Sequence, residues 1–319
     1  MANSKYQTIL GSTGVIGTEI ARSLPQYTEH IRLVSRNPRK VNSDDEIMPA
    51  DLLDEEQTLK AVEGSEVVYL CPGLEYNSKV WREQWPRIMQ NTINACKKAG
   101  SRLVFFDNVY MYGRVEGWMT EKSPYKPDSK KGRVRAQIAE MLLDEIRQGY
   151  MQALIARSAD FYGPGATLGI GNVLVLDKLA RGKKAQWMGD INARHSFTYT
   201  VDAGKATALL GNTKSAFNQQ WHLPTDMEVL TGKEFIELSA KVAGTEPKYM
   251  LIKKGMLTMM GLFNTTLREI AEMYYQNQYD YLFDSSKFDK AFDFQITSYS
   301  DGIAQTIKSL MESNKQLNK

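Results

Sequence analysis

The feature that most constrains this chain is a glycine-rich turn between a short apolar segment and an amphipathic one. Tyr6–Leu10 is apolar at alternate positions, which predicts a β-strand. Val15–Leu24 has apolar side chains at helical spacing and is followed by Pro25, which predicts a helix that ends there. The turn between strand and helix reads Gly11, Ser12, Thr13, Gly14, Val15, Ile16 and Gly17. A glycine pattern in this strand–turn–helix context predicts a phosphate-binding turn.

Each glycine of this turn has a distinct predicted role. Gly11 allows the tight turn, Gly14 lets the backbone approach a pyrophosphate, and Gly17 lets helix and strand pack closely. The phosphate then meets the exposed N–H groups at the positive end of the helix. A purely structural glycine turn is the alternative, and the second strand about 14 residues further on argues against it. The turn therefore predicts dinucleotide binding.

The same strand–helix rhythm continues through the first half of the chain. Further short apolar runs occur at Ile31–Val34, Glu66–Leu70, Arg102–Phe106 and Gln152–Ala156. Helix-length segments lie between them at Glu55–Val62, Val80–Ala99 and Val134–Gln148. Such alternation predicts an α/β fold of the Rossmann type, a doubly wound parallel sheet.

The rhythm loosens after about residue 160, which predicts a second, smaller substrate-binding region. We expect a dinucleotide-binding domain at residues 1–160 and a substrate-binding region at 161–319. Segments at about 195–215, with a strand near Phe197–Thr200, are expected to return to the first domain. A length of 319 residues suits one or two domains.

The second strand indicates which dinucleotide is preferred. Coenzymes without a 2′-phosphate usually meet an acidic residue at the end of this strand. Here Ser35 and Arg36 lead into Arg39 and Lys40, with no acid among them. A guanidinium can form paired hydrogen bonds with a phosphate. The segment therefore favours NADP over NAD, with Arg36 as the main contact, unless it is simply a solvated basic turn.

Composition excludes several classes of protein. A net charge of +3 from 40 basic and 37 acidic residues gives no sign of a nucleic-acid or membrane-surface binder. Two distant cysteines fit a reducing, cytoplasmic compartment. No signal peptide or membrane-spanning run is expected, and the three histidines show no metal-ligand spacing.

Several motifs together resemble the short-chain dehydrogenase/reductase superfamily, in its extended or atypical epimerase-like branch. Besides the glycine turn, they are the pair Asp51-Leu52, the segment Phe106–Gly113 ending in Tyr-Gly, the Tyr-Gly-Pro-Gly loop after Arg157, the segment His195–Asp202 and the stretch Phe283–Lys287. The resemblance implies that Asp51 and Leu52 lie against the adenine. Cys71, after the fourth strand, is expected to line the coenzyme cleft.

The chain departs from this family at its catalytic residues. Reductases and epimerases of this kind use a Ser or Thr with a Tyr-x-x-x-Lys pair, in which the lysine lowers the pKa of the phenol. The resemblance puts the Ser/Thr position at Asn108 and the Tyr and Lys positions at Gly132 and Ala136. Neither Gly132 nor Ala136 can transfer a proton. This chain is similar to atypical members that have lost the pair.

Other residues are candidates for the missing proton donor. Asn108 can still donate its amide to a substrate oxygen. Tyr110 and Tyr162 are the preferred candidates for a displaced donor, although plain packing is the simpler explanation for either. A tyrosine or lysine from the basic loop is a further possibility. That loop contains Lys130, Lys131, Arg133 and Arg135, and its simplest interpretation is a solvated loop entering a helix.

Three functional hypotheses follow. The first is an NADP-dependent oxidoreductase or epimerase-like enzyme for a small polar metabolite, such as a nucleotide sugar or carbonyl compound. The second is a non-catalytic protein that senses the redox state of the dinucleotide, and a third is a structural protein stabilised by it. The family resemblance also implies a possible homodimer through Val80–Ala99 and Val134–Gln148.

Overall fold

The computed structural model describes residues 5–317. The chain divides into two compact units, and each consists of several segments. Among the described residues, unit 1 contains those up to Gly113 together with Lys130–Ser158 and Ala203–Leu223. Unit 2 contains Arg114–Ser129, Ala159–Asp202 and the residues from Pro224 onward.

Thirteen strands occur in the described part of the chain. They are β1 (Tyr6–Leu10), β2 (Ile31–Ser35), β3 (Glu46–Pro49), β4 (Ser65–Leu70), β5 (Arg102–Asp107), β6 (Trp118–Met119), β7 (Ala153–Arg157), β8 (Asp160–Tyr162), β9 (Ala185–Met188), β10 (Phe197–Tyr199), β11 (Gln220–His222), β12 (Tyr249–Ile252) and β13 (Leu282–Phe283).

Twelve α-helices accompany these strands within residues 5–317. They are α1 (Val15–Ser23), α2 (Glu55–Val62), α3 (Ser78–Ala99), α4 (Lys130–Arg147), α5 (Asp177–Ala180), α6 (Thr200–Asn212), α7 (Gly232–Ala243), α8 (Lys254–Gly261), α9 (Thr265–Glu272), α10 (Tyr275–Gln278), α11 (Ser286–Ala291) and α12 (Tyr299–Leu317). In the part of the chain that the structure describes, no helix is long and apolar enough to cross a membrane.

Unit 1 is built on a seven-stranded sheet in the order β11-β7-β5-β4-β1-β2-β3. Every neighbouring pair in it is parallel. The central strands are buried on both faces, and Val67, Val68, Tyr69 and Leu70 of β4 have no exposed surface. Burial on both faces is what a parallel sheet covered by helices requires. The predicted α/β doubly wound fold is therefore confirmed.

Unit 2 holds three two-stranded parallel sheets, β10-β8, β12-β9 and β13-β6. Its core is rich in aromatic side chains, with Tyr162, Phe197, Phe235 and Tyr299 among the buried members. Phe197 and Phe235 lie 4.8 Å apart between ring centroids. Aromatic side chains thus form a large part of this core.

The predicted domain boundaries differ from the two observed units. The segment that rejoins unit 1 late in the chain is Ala203–Leu223, whereas Phe197–Tyr199 pairs with Asp160–Tyr162 inside unit 2. Residues Arg114–Ser129 leave unit 1 and belong to unit 2, since their strand β6 pairs with β13. These assignments depend on pairing between distant segments, which local periodicity does not encode.

Candidate coenzyme-binding site

The glycine turn lies where the strand order of the sheet reverses. Strand β1 has β2 on one side and β4 on the other, so the chain runs outward from β1 to β3 and then crosses back to β4 on the opposite side of β1. In open α/β sheets, ligands bind in the crevice outside the carboxyl ends of the strands at such a point. The turns after β1, β2, β4 and β5 all lie at this edge because the four strands are parallel.

Two glycines of the turn are required by packing, and the third is not. A Cβ added to Gly11, which has a φ of 93°, would lie 2.5 Å from Cα of Pro72. A Cβ added to Gly17 would lie 2.7 Å from the carbonyl oxygen of Gly11. At Gly14 the nearest protein atom would be 3.4 Å away. Glycine at position 14 therefore leaves free backbone surface, which a pyrophosphate can approach.

Helix α1 begins without a capping side chain. Gly14 is its N-cap residue, no side chain bonds to its first turn, and that turn contains no acidic residue. In contrast, Asp54 caps α2 and Asn77 caps α3. Uncapped N–H groups at a helix start can bind an anion. The buried hydroxyl of Ser12 also lacks a hydrogen-bond partner within residues 5–317, so both features fit a bound phosphate.

The end of β2 presents unpaired cationic side chains. Arg36 and Arg39 are exposed, and neither forms an ion pair or side-chain hydrogen bond with the described residues. The hydroxyl of Ser35 is buried and likewise has no partner there. Lys40, by contrast, donates to the carbonyl oxygen of Ser43 at 2.8 Å. Two free guanidinium groups beside an unpartnered hydroxyl suit an anionic group of a ligand.

The turns after β3 and β4 are held firmly in place. Leu52 is buried, and its carbonyl oxygen accepts from Nδ2 of Asn91 on α3 at 2.9 Å. Asp51 accepts from the N–H of Leu53 at 3.0 Å, which closes the turn. The N–H of Cys71 donates to the carbonyl oxygen of Leu10 at 2.9 Å. Burial raises the pKa of the Cys71 thiol to about 12, so this cysteine is a packed, protonated side chain.

Asn108 follows β5 at the same edge and has a defined orientation. Its Oδ1 accepts from the N–H of Tyr110 at 3.0 Å, which fixes which end of the amide is oxygen. Its Nδ2 donates to no atom of the described residues. Asn108 therefore presents a positioned amide donor, as a group that polarises a substrate oxygen must.

A buried polar network supports the Asn108 turn from behind. Asp107 is 1% exposed, and its Oδ1 accepts from Nε of Arg135 at 2.7 Å and from the N–H of Asn108 at 2.8 Å. Its Oδ2 faces Nε of Arg157 at 3.4 Å. Arg157 also donates to the hydroxyl of Tyr112 at 3.1 Å. The carboxylate of Asp107 thus ties the Asn108 backbone to α4 and β7.

The sequence analysis did not predict this network, although the sequence contains a pattern that indicates it. Asp107 and Arg157 are charged residues at the ends of two buried apolar runs, β5 and β7. Neighbouring parallel strands bring their ends together, and Asp107 pairs with Arg157 in the sheet register. Opposite charges at the ends of two buried strands therefore predict an ion pair once the strand order is known.

The basic cluster at the start of α4 divides between two environments. Lys130 and Arg133 are exposed, whereas Lys131 has no exposed surface and Arg135 is 4% exposed. The predicted solvated loop is therefore wrong for Lys131 and Arg135, because the helix begins at Lys130 and turns these two side chains inward. A buried lysine and a buried arginine in one turn and a half of helix are uncommon.

Lys131 lies among aromatic side chains close to the Asn108 turn. Its Nζ is 4.5 Å from the ring centroid of Tyr76. The Tyr76 ring contacts Trp81, and Trp81 stacks on Tyr110 with centroids 6.2 Å apart. Lys131 and Tyr110 therefore border one aromatic cluster. Such a cluster can hold a lysine cation through its ring faces.

Tyr162, the other candidate donor, lies in the core of unit 2. It is 1% exposed, and its ring packs on Tyr199, Phe235 and Tyr299. Burial raises the pKa of its hydroxyl far above the usual value. This environment favours a packing role, and the predicted donor role of Tyr162 stays a prediction.

Two of the histidines are buried and have a polar partner at Nε2. In unit 2, Nε2 of His195 lies 2.9 Å from Oδ2 of Asp160, and the ring stacks on Tyr281 with centroids 4.4 Å apart. In unit 1, Nε2 of His222 lies 2.9 Å from the hydroxyl of Tyr112. Both histidines are buried. Their partners hold them as structural groups.

Comparison with protein families agrees with this architecture. Residues 8–221 match the model of the NAD dependent epimerase/dehydratase family. Because that match covers more than half of the chain, the protein belongs to this family, within the extended short-chain dehydrogenase/reductase superfamily. The recognition from motifs is thus confirmed.

Individual relatives are more distant. The chain is 26% identical over 205 residues to the 3beta-hydroxysteroid-dehydrogenase/decarboxylase isoform 2 of Arabidopsis thaliana. The match covers 59% of this chain and only 36% of the plant protein. This chain therefore matches well under half the length of that relative.

Solved structures resemble the chain over nearly its whole length. A dTDP-glucose 4,6-dehydratase from Streptomyces venezuelae, solved with NAD, has a TM-score of 0.78, 16% identity and 98% coverage of both chains. A UDP-glucose 4-epimerase from Thermus thermophilus, also with NAD, has a TM-score of 0.78, 16% identity, and coverage of 96% of this chain and 98% of its own. At these identities the likeness concerns the fold.

Proposed function

We propose that this protein is a dinucleotide-dependent oxidoreductase or epimerase-like enzyme that acts on a small polar metabolite, either a nucleotide sugar or a carbonyl compound. One observation carries the proposal: an uncapped helix start at the strand-order reversal, beside a glycine that packing does not require. A dinucleotide pyrophosphate is the group that such a turn suits. Family membership supports the same reading.

NADP is the preferred coenzyme in this proposal, with NAD as the weaker alternative. Arg36 and Arg39 are free to pair with a 2′-phosphate, and the buried hydroxyl of Ser35 lacks a partner within the described residues. The segment directly after β2, Arg36–Lys40, contains no acidic residue to accept from ribose hydroxyls. The related structures were solved with NAD, so the preference rests on the residues of this chain alone.

The remaining residues have complementary roles in the proposed chemistry. When bound, the coenzyme supplies or accepts hydride. Asn108 holds the substrate oxygen with its free Nδ2–H, and the Asp107 network keeps the Asn108 turn rigid. The turn Gly11–Gly17 binds the pyrophosphate. Asp51, Leu52 and Cys71 line the coenzyme cleft.

Lys131 is our candidate for the lost catalytic cation. It is buried one position before Gly132, which occupies the family's tyrosine position, and it lies over the ring of Tyr76. Its ammonium group lies over the Tyr76 ring, and Trp81 links that ring to Tyr110, so Tyr110 and Tyr76 are the tyrosines that we propose to transfer the substrate proton with its help. Tyr162 is the less favoured donor.

The coenzyme proposal is tested by parallel titrations of NADPH and NADH, followed by intrinsic fluorescence. We expect wild type to prefer NADPH. Arg36→Ala should bind NADPH about tenfold or more weakly, because it loses the free energy of one charge-assisted hydrogen bond. Arg87→Ala, an exposed arginine on α3, is the matched control and should bind like wild type. Binding of neither dinucleotide would end both the enzyme and the sensor hypotheses.

The catalytic proposal is tested with Lys131→Met against Lys98→Met, which removes an exposed lysine on α3 that lies outside this cluster. Using a substrate identified from a panel of nucleotide sugars and carbonyl compounds, we expect Lys131→Met to lower kcat by about 10²–10⁴-fold, as for a lost acid–base group. NADPH affinity should stay within a few-fold, which shows that the fold is intact. Equal turnover of the two variants would remove Lys131 from the mechanism.

A non-catalytic sensor of the dinucleotide redox state is the second candidate. Gly132 and Ala136 at the tyrosine and lysine positions favour it. Sustained turnover that survives repurification would exclude a pure sensor, whereas NADPH binding without turnover across the panel would favour one. A reducing, cytoplasmic location belongs to either proposal, since both cysteines are free thiols.

A further inference from the structure

A cavity of about 450 Å³ opens between the first turns of α3 and α4. Four cationic side chains line it, Lys79, Arg82, Lys130 and Arg133, together with Ser78 and Gln137. Its lining contains no acidic residue. A cavity of this volume is large enough for a small-molecule ligand.

The cations of this cavity are arranged by the helices and are not scattered over the surface. On α4, Lys130, Arg133 and Gln137 recur at intervals of three and four residues, so they share one face. The residues between them, Lys131 and Arg135, point inward and are buried. On α3, Ser78, Lys79 and Arg82 form the facing group. Both helices thus present their first turns to one cavity.

Three of these cations, Lys79, Arg82 and Arg133, differ from the paired arginines of unit 1. Arg32 pairs with Glu46, Arg102 with Glu66, and Arg135 with Asp107, all within 2.7 Å. Arg82 and Arg133 form no ion pair with any described residue, and neither does Lys79. Four like charges at one cavity repel each other, and cations in a first helical turn also oppose the helix dipole. An anionic ligand relieves both penalties.

We propose that this cavity binds a small ligand carrying a polyphosphate or more than one phosphate group. Guanidinium groups form paired hydrogen bonds with phosphate oxygens, while ammonium groups and the Ser78 hydroxyl add single ones. None of these residues belongs to the glycine turn, the end of β2 or the Asn108 turn. The site is therefore separate from the candidate coenzyme site, and the inference holds whether or not the proposed function does.

A second copy of the chain is the competing occupant, because the family resemblance pairs these two helices between subunits. An apolar helix face is the usual basis of such a bundle. Among the described residues, none of the large exposed apolar side chains lies on α3 or α4. Their outward positions are instead polar, for example Arg82, Glu83 and Gln137. This surface suits a soluble anion better than a matching apolar face.

The test is calorimetric titration of the full chain with inorganic pyrophosphate and with tripolyphosphate. The variant Arg82→Gln/Arg133→Gln removes two exposed cavity cations. Lys60→Gln/Lys98→Gln is the matched control, because it removes two exposed lysines that lie outside the cavity. Circular dichroism verifies folding of each variant, and sedimentation velocity reports its oligomeric state. A second cavity variant, Lys79→Gln/Lys130→Gln, repeats the test with the two lysines of the cavity, so that the conclusion does not depend on one pair of substitutions.

We expect wild type and the Lys60/Lys98 control to bind with equal affinity and both cavity variants to bind about tenfold or more weakly. Affinity should also fall as salt rises. Equal affinity in all four proteins would overturn the proposal, because pyrophosphate would then bind elsewhere, as at the glycine turn. Absence of binding to wild type would overturn it as well. So would a dimer in wild type and the control that becomes monomeric in the cavity variants.

Discussion

Replacement of Arg135 by leucine is the sharpest test of the buried network. Asp107 is 1% exposed, and Arg135 gives it its two shortest contacts, at 2.7 Å from Nε and 2.5 Å from Nη2. In Arg135→Leu, the carboxylate keeps only the N–H of Asn108 and the 3.4 Å contact with Arg157. Leucine retains apolar packing against Trp85, over which the guanidinium lies at 4.4 Å. The change therefore removes the charge of Arg135 together with its two contacts to Asp107, while an apolar side chain still fills part of the space.

The expected cost follows from the burial of the pair. Removal of one partner from a buried ion pair costs about 3–5 kcal/mol, because the other charge stays uncompensated. In a unit of this size, each kcal/mol shifts Tm by about 2–4 °C, so Tm should fall by about 6–20 °C. Thermal unfolding followed by circular dichroism measures this shift. NADPH titration should show weaker binding, since the Asn108 turn loses its support.

An exposed pair provides the control for this prediction. Arg147 is exposed and pairs with Glu140 and Asp144 on the same helix, so Arg147→Leu should change Tm little. If Arg135→Leu lowered Tm no more than Arg147→Leu, Asp107 would be stabilised by other groups, and the role assigned to the network would be wrong.

Two further predictions concern the glycine turn and Cys71. Gly17→Ala should lower the free energy of unfolding by about 1–3 kcal/mol, because its Cβ would lie 2.7 Å from the carbonyl oxygen of Gly11. Urea unfolding measures this, and an unchanged free energy of unfolding would contradict the packing role. Since the pKa of Cys71 is raised to about 12, its thiol is protonated at pH 8, and iodoacetamide should alkylate it slowly until urea unfolds the chain. Rapid alkylation of Cys71 in the native protein, measured by peptide mass spectrometry, would contradict this environment.

Local sequence patterns predicted the longer elements of unit 1 closely. The strand Tyr6–Leu10 and the helix Glu55–Val62 have the predicted bounds, and α3 continues through Pro86. Strand β3 was missed, because four residues at the sheet edge carry too little periodicity. In unit 2, α8 and α9 are separate helices because the chain turns at residues 262–264.

The candidate site divides in the same way between local and distant information. The glycine turn and the end of β2 each consist of consecutive residues, so the sequence alone predicts their chemistry. The pairing of Asp107 with Arg135 and Arg157 joins residues 28 and 50 positions apart. No local pattern reports such a contact.

The sequence by itself determined the parallel sheet and the place of the glycine turn within it, because both depend on the periodicity and conformational freedom of neighbouring residues. Tertiary structure alone decided which of two adjacent lysines is buried. Lys130 is exposed and Lys131 is not, since each residue of a helix is rotated by about 100° from the last, and packing against the rest of the unit selects the inward face. That selection separates the candidate catalytic cation from the proposed anion cavity.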